Sequence, residues 1–205
     1  MQKALLSSGF IALLLTSPVQ AANPSVDCAK ADHDIEQLIC KDDELAALDK
    51  QLAEAYRTAY RNFPADGRDT LKASQRGWVK GRNDCWKADD PRGCVKFEYE
   101  TRISELQIQG GNLVVPAPVQ YQCDGGEYDY LTAIFYQKTA IPSVVLTRGD
   151  DQVIAFLAPS GSGAKYEGRN VSFWEHHGEA AGNWKGKPFN CTVQKRQGSD
   201  FSVRR

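Results

Sequence analysis

The residues best placed for chemistry lie toward the C-terminal end of the chain. Pro159-Ser160-Gly161-Ser162-Gly163 sets a hydroxyl between two glycines, so the backbone at Ser162 can enter a narrow cleft with little bulk around it. The same five residues also read as a flexible hairpin loop with no role. Farther on, His176-His177 offers a cation that switches near neutral pH, since an imidazole titrates at about 6.5. A metal site is not expected there. Neighbours on a strand point to opposite faces, and His33 is the one remaining histidine. No His-Glu-x-x-His, no Gly-x-Ser-x-Gly, no glycine-rich phosphate loop and no close Ser/His/Asp set occurs. The pattern therefore suggests a protein that is not an enzyme and needs no cofactor or metal.

Six cysteines, at 28, 40, 85, 94, 123 and 191, give an even count suited to bridges in an oxidising compartment. The N-terminus agrees. Met1–Ala21 has Lys3, a short apolar run from Ala4 to Leu15, and Val19-Gln20-Ala21 as a small-residue cleavage site, which reads as a signal peptide. The mature chain is expected to begin near Ala22 and to be periplasmic or secreted. No Cys follows the cleavage point, so no membrane anchor is expected. Lys plus Arg number 25 against 26 for Asp plus Glu, a balance that argues against a nucleic-acid partner.

Two differently patterned parts must position these groups. In residues 22–108 the apolar positions recur at helical steps. Leu45, Leu48, Leu52, Tyr56 and Ala59 form one face, opened by Asp42-Asp43-Glu44 and stopped by Pro64 and Gly67. A second helix is expected from Asp69 to Trp86, with Leu71, Gln75, Trp78, Arg82 and Cys85 aligned. A third is expected from Arg92 to Ile108, and a helical turn from Asp34 to Cys40. Trp78 and Arg82 read as an internal packing pair. So few short helices bury a thin core, and small domains often need staples. Four cysteines allow three pairings, among which Cys28–Cys40 and Cys85–Cys94 are favoured as local. Residues 27–54 hold nine acidic and three basic residues, a solvated face or a surface that steers a basic partner.

Gly110, Gly111, Pro116 and Pro118 mark a linker over 109–118. Beyond it, 119–195 alternates as strands do. Tyr128–Tyr136, Ser143–Thr147, Gln152–Ala158, Ala164–Glu167, Val171–Glu175, Ala180–Trp184 and Phe189–Val193 predict a small antiparallel barrel or sandwich. A Cys123–Cys191 bridge would tie its first strand to its last. Residues 196–205 form a polar tail. The expected class is α+β by segregated domains, a small disulfide-stapled helical domain followed by a small antiparallel β-barrel.

The first part resembles the LprI-type domain, through Asp27-Cys28, Glu36-Gln37-Leu38-Ile39-Cys40, Leu45-Ala46-Ala47-Leu48-Asp49 and Trp78-x-x-x-Arg82-x-x-Cys85. The second resembles the MliC/PliC family of C-type lysozyme inhibitors. That resemblance rests on Tyr121-x-Cys123, Ser160 to Tyr166, Phe173-Trp174, Gly178-Glu179-Ala180 and Asn190-Cys191. It implies an eight-stranded barrel that plugs the cleft of a C-type lysozyme. The family's loop serine falls on Ser162. Its lysine falls on His176, which leaves His176, His177 or neither as the cationic partner. Lysozyme works with two carboxyl groups, so a serine donor and a cation suit such a plug. If His176 is that cation, inhibition strengthens as pH falls from about 8 to 6. The expected contact set is Ser162, His176, Gly161, Gly163, Lys165, Tyr166 and His177. Trp174 is expected in the core, and Trp184 is a further candidate contact. The rival reading is a periplasmic glycan-binding or envelope scaffold module using exposed Tyr and Trp. The helical part inhibits by itself, binds a second partner, or presents the barrel.

Overall fold

A computed structural model of the chain describes residues 25–194. The signal peptide assigned to 1–21, the expected start at Ala22 and the polar tail at 196–205 lie outside the described residues.

Helices come first: α1 (Asp34–Lys41), α2 (Asp43–Asn62), α3 (Arg68–Asn83) and α4 (Pro91–Gln109). Asp42 ends α1 and caps α2, its Oδ1 accepting from Leu45 N at 3.0 Å. Leu45, Leu48, Leu52 and Ala59 of α2 are buried with Val95, Tyr99, Ile103 and Leu106 of α4, and Ile35, Ile39 and Leu71 complete the cluster. The expected second helix stops short of Trp86. A 3-10 turn, Asp84–Lys87, takes over. This tighter turn redirects Cys85 toward Cys94 at the head of α4, where a continued helix would carry it away. The bridges are Cys28–Cys40, Cys85–Cys94 and Cys123–Cys191.

An ion-pair network binds the start of α2 to the start of α4. Arg92 Nε donates to Asp42 Oδ2 at 2.7 Å, and Arg92 Nη2 and Lys96 Nζ each reach Glu44 at 2.6 Å. The Arg92 hydrogen bond holds Asp42 below its ordinary pKa, and Lys96 with Arg92 does the same to Glu44. A carboxyl depressed by folding adds stability above its unfolded pKa and loses it as pH falls through the folded value. Arg92→Ala should therefore be less stable than the parent at pH 7, with the gap closing as pH drops below about 4. Thermal melts across pH check this, and a gap that ignores pH overturns it.

Eight strands follow: β1 (Val119–Cys123), β2 (Tyr130–Tyr136), β3 (Ser143–Arg148), β4 (Asp151–Ala158), β5 (Ala164–Gly168), β6 (Val171–His176), β7 (Glu179–Trp184) and β8 (Lys187–Val193). Each pairs antiparallel with the next, and β8 closes on β1. In the closing register Cys123 faces Cys191, so the disulfide lies across the seam. Tyr121, Leu131, Ala133, Val144, Leu146, Ala155, Phe173 and Phe189 point inward and fill the barrel. The second strand begins two residues later than expected. Gly125, Gly126 and the bidentate Asp129–Arg148 pair shape a loop that leaves Tyr128 84 % exposed.

Because strand directions alternate, the β2–β3 loop, the Ser162 loop between β4 and β5, and the β6–β7 turn share one end of the barrel. The helices touch that end. Ser104 of α4 accepts from Ile141 N in the β2–β3 loop at 3.1 Å and donates to Glu100 O at 2.8 Å. Among the described residues, no helix is long and apolar enough to cross a membrane.

Candidate functional site

Ser162 and His176 line one groove of about 680 Å³ on the outer wall of the barrel. The strand register builds it. Trp174 on β6 faces Ala181 on β7, which faces Asn190 on β8. One step along, His176 faces Glu179, which faces Thr192, which faces Gln122 of β1. Ala181 is small, so a hollow opens between the Trp174 indole and Asn190.

The Ser162 loop is fixed at several points. Trp174 Nε1 donates to Ser162 O at 2.7 Å, and Ser160 Oγ donates to Gly163 O at 3.0 Å. Gly163 has φ +63°, and a Cβ there would stand 2.4 Å from Glu175 O and 3.1 Å from His176 Cβ. The loop thus lies against the strand that carries His176. Gly161 is different. Nothing lies within 4 Å of where its Cβ would be, so this site needs no glycine.

Several expected contacts are placed otherwise. Tyr166 is 2 % exposed and packs on Phe135 and Phe173, so it is a core residue and touches no partner directly. Burial pushes its phenol pKa up. Trp184 is buried as well. Trp174, expected inside, is 46 % exposed. The period of two explains this, because Phe173 takes the inward position and its neighbour must point out. Lys165 lies on the outer face, paired with Glu167 at 2.6 Å. His177 is not a strand residue. It opens the β6–β7 turn with φ +54°, and its ring stacks on His176 at 4.0 Å rather than on the opposite face. Among the described residues, no group of three or more His, Cys, Asp or Glu could hold a metal.

Glu179 and Asn190 entered the sequence analysis only as parts of the resemblance, and Asp124 did not enter it at all. Asn190 Nδ2 donates to Asp124 Oδ2 at 3.2 Å, and this contact holds Asp124 below the usual carboxylate range. Asp124 and Asn190 lie far apart in the chain, and the barrel's closing register alone brings them together.

A second cavity, of about 460 Å³, lies among the helices and is bordered by Asp49, Trp78 and Arg82. Arg82 is 3 % exposed. Its Nη1 donates to Tyr99 Oη at 2.9 Å, and its guanidinium lies 5.5 Å from the Trp78 ring centroid. The expected packing pair is thus part of a larger buried polar network.

Four stapled helices followed by a closed eight-stranded barrel define a two-part, disulfide-linked protein. Two family profiles match, in that order: "Lysozyme inhibitor LprI" over residues 27–109 and "Membrane-bound lysozyme-inhibitor of c-type lysozyme" over 121–188. The lipoprotein LprI of Mycobacterium bovis is 36 % identical over 176 residues, covering 86 % of this chain and 86 % of the relative. The same figures hold for LprI from two strains of Mycobacterium tuberculosis. The chain belongs to the LprI family. No solved structure matches it.

Proposed function

We propose that this protein is an extracytoplasmic inhibitor of C-type lysozyme, not an enzyme, and that its Ser162 loop occludes the catalytic cleft. Both matching families are lysozyme inhibitors by name. The observation that carries the mechanism is the shared groove, where an anchored hydroxyl-bearing loop lies beside an imidazole. Ser162 Oγ would donate to one lysozyme carboxyl group and His176 would pair with the other. The resident site is periplasmic or secreted in this reading. The relatives are named lipoproteins, which lends no support to the anchor-free expectation.

The helical part, linked through 109–118, touches the end of the barrel that carries the loop, which suits a role in presenting it. The acidic stretch at 27–54 would speed encounter with a basic enzyme rather than add contact energy.

Titration of residues 22–205 into a wall-lysis assay tests the proposal. Stoichiometric inhibition is expected, weakened at least about tenfold by Ser162→Ala, in the range of an interface hot spot. Inhibition unmoved by that change would place the activity elsewhere. A run of the assay from pH 8 to 6 tests the cation. Across the strands His176 is paired with Glu179, and its ring stacks on His177. Protonation is expected to strengthen inhibition as pH falls, and His176→Ala should flatten the profile. A profile that keeps its slope in His176→Ala removes His176 from the mechanism.

A further inference from the structure

The groove beside the Ser162 loop has a hydrogen-bonding bias that its shape alone does not reveal. Its two amides each turn a donor to the protein itself. Asn190 Nδ2 goes to Asp124 Oδ2, and Gln122 Nε2 goes to Gly126 O at 2.8 Å. The Trp174 Nε1–H is also spent, on Ser162 O. Beside the hydroxyls of Ser162 and Thr192 and the His176 imidazole, what remains toward the groove is acceptor: Asn190 Oδ1 and the carboxylates of Asp124 and Glu179, Gln122 Oε1 being taken by Gln194 Nε2 at 3.5 Å. Among the described residues no ion pair involves Glu179, and the one lining side chain able to carry positive charge is His176, paired across the strands with Glu179. The aromatic wall is a half-exposed indole face held at a fixed angle by its own hydrogen bond.

A planar cation with donors and no acceptors fits this lining. Arginine is that group, carrying five N–H donors and a flat face that stacks on indole. Trp174 and Glu179 are on adjacent strands, with Ala181 directly across from Trp174 and Glu179 two residues before it. Strand spacing of about 4.8 Å and a rise of about 3.4 Å per residue put their Cα atoms roughly 8 Å apart. That separation lets one guanidinium lie on the ring and reach the carboxylate.

We propose that this groove receives an arginine side chain of the partner protein, clamped between the Trp174 face and Glu179, with Asn190 and Asp124 as the outer acceptors. The inference rests on the reading that this face meets a protein. A neutral sugar is the rival occupant. It presents hydroxyls that both donate and accept, and it gains less from two carboxylates.

The first test needs no lysozyme. N-acetyl-arginine amide is titrated into residues 22–205 while the four indole N–H signals are followed by NMR, the Trp174 signal being assigned with Trp174→Phe. A saturable shift of the Trp174 signal is expected. Glu179→Gln, a surface change, should weaken it about tenfold, and the blocked citrulline isostere, which lacks the charge, should bind at least about tenfold more weakly. Equal response to citrulline, or a response to an N-acetylglucosamine trimer in place of arginine, overturns the proposal. The second test is lysis. Glu179→Gln should weaken inhibition and reduce its salt dependence. If Ser162→Ala weakens inhibition and Glu179→Gln does not, the arginine clamp fails while the inhibitor reading stands. If the arginine titration succeeds and no lysozyme is inhibited, the inhibitor reading fails and the clamp stands.

Discussion

Asp49→Ala is expected to destabilise the helical part by about 3–5 kcal/mol, the cost of removing one partner from a buried ion pair. Asp49 is 3 % exposed. Its Oδ1 accepts from Tyr99 Oη at 2.9 Å and stands 4.0 Å from Arg82 Nη1. Its Oδ2 takes the Ser25 N–H and hydroxyl and the Val26 N–H. One carboxylate therefore joins α2, α3, α4 and the segment ahead of α1. Without it, the guanidinium of Arg82 keeps Tyr99 and Asn83 as hydrogen-bond partners but loses its nearest fully buried counter-charge. Total stabilities of small domains are about 5–15 kcal/mol, so this single change removes a large share. Asp49→Asn keeps an acceptor for Tyr99 and should cost less. Denaturant unfolding followed by helical circular dichroism measures both. A loss under about 1 kcal/mol for Asp49→Ala would show that the network is exchangeable for water.

That carboxylate shows what the sequence could and could not disclose. Asp49 is four residues after Leu45 and three before Leu52, so helical spacing already puts it on the buried face. Its partners were hidden. Arg82 and Tyr99 lie 33 and 50 residues away, and nothing in local periodicity pairs them with Asp49. In the barrel, the alternation of Leu131, Ala133 and Phe135 with their neighbours was legible locally, but the pattern alone left barrel and sandwich open, since closure depends on the β8–β1 pairing. Trp174 was misplaced because membership of a strand motif was read as burial, whereas its neighbour Phe173 takes the inward place. Tyr166 was misplaced for the opposite reason, as part of a contiguous motif whose alternate residues face opposite ways. The groove needed the closing β8–β1 register, which brings residues about 70 apart into contact and leaves no local signature.

The two glycines flanking Ser162 look equivalent in sequence, and the structure separates them. Gly163→Val should weaken lysozyme inhibition about 30-fold or more, equivalent to roughly 2 kcal/mol. At φ +63° an L-residue pays about 1–2 kcal/mol, and a β-branched one is worse placed still. The new Cβ would also overlap Glu175 O, a backbone atom that no rotamer change can clear. The loop must then lift from β6, which releases the Trp174–Ser162 hydrogen bond and carries the hydroxyl away from His176. Gly161→Val is the matched control. Its Cβ meets open space in the free protein and its backbone is not left-handed, so the loop keeps its place on β6 and any loss of inhibition reports bulk in the cleft alone. Both variants keep Ser162 and both add the same side chain one position from it. If they weaken inhibition equally, bulk at the cleft is what matters. If only Gly163→Val does, inhibition depends on where the barrel wall holds the hydroxyl, because the loop acts as a rigid extension of β5 and β6.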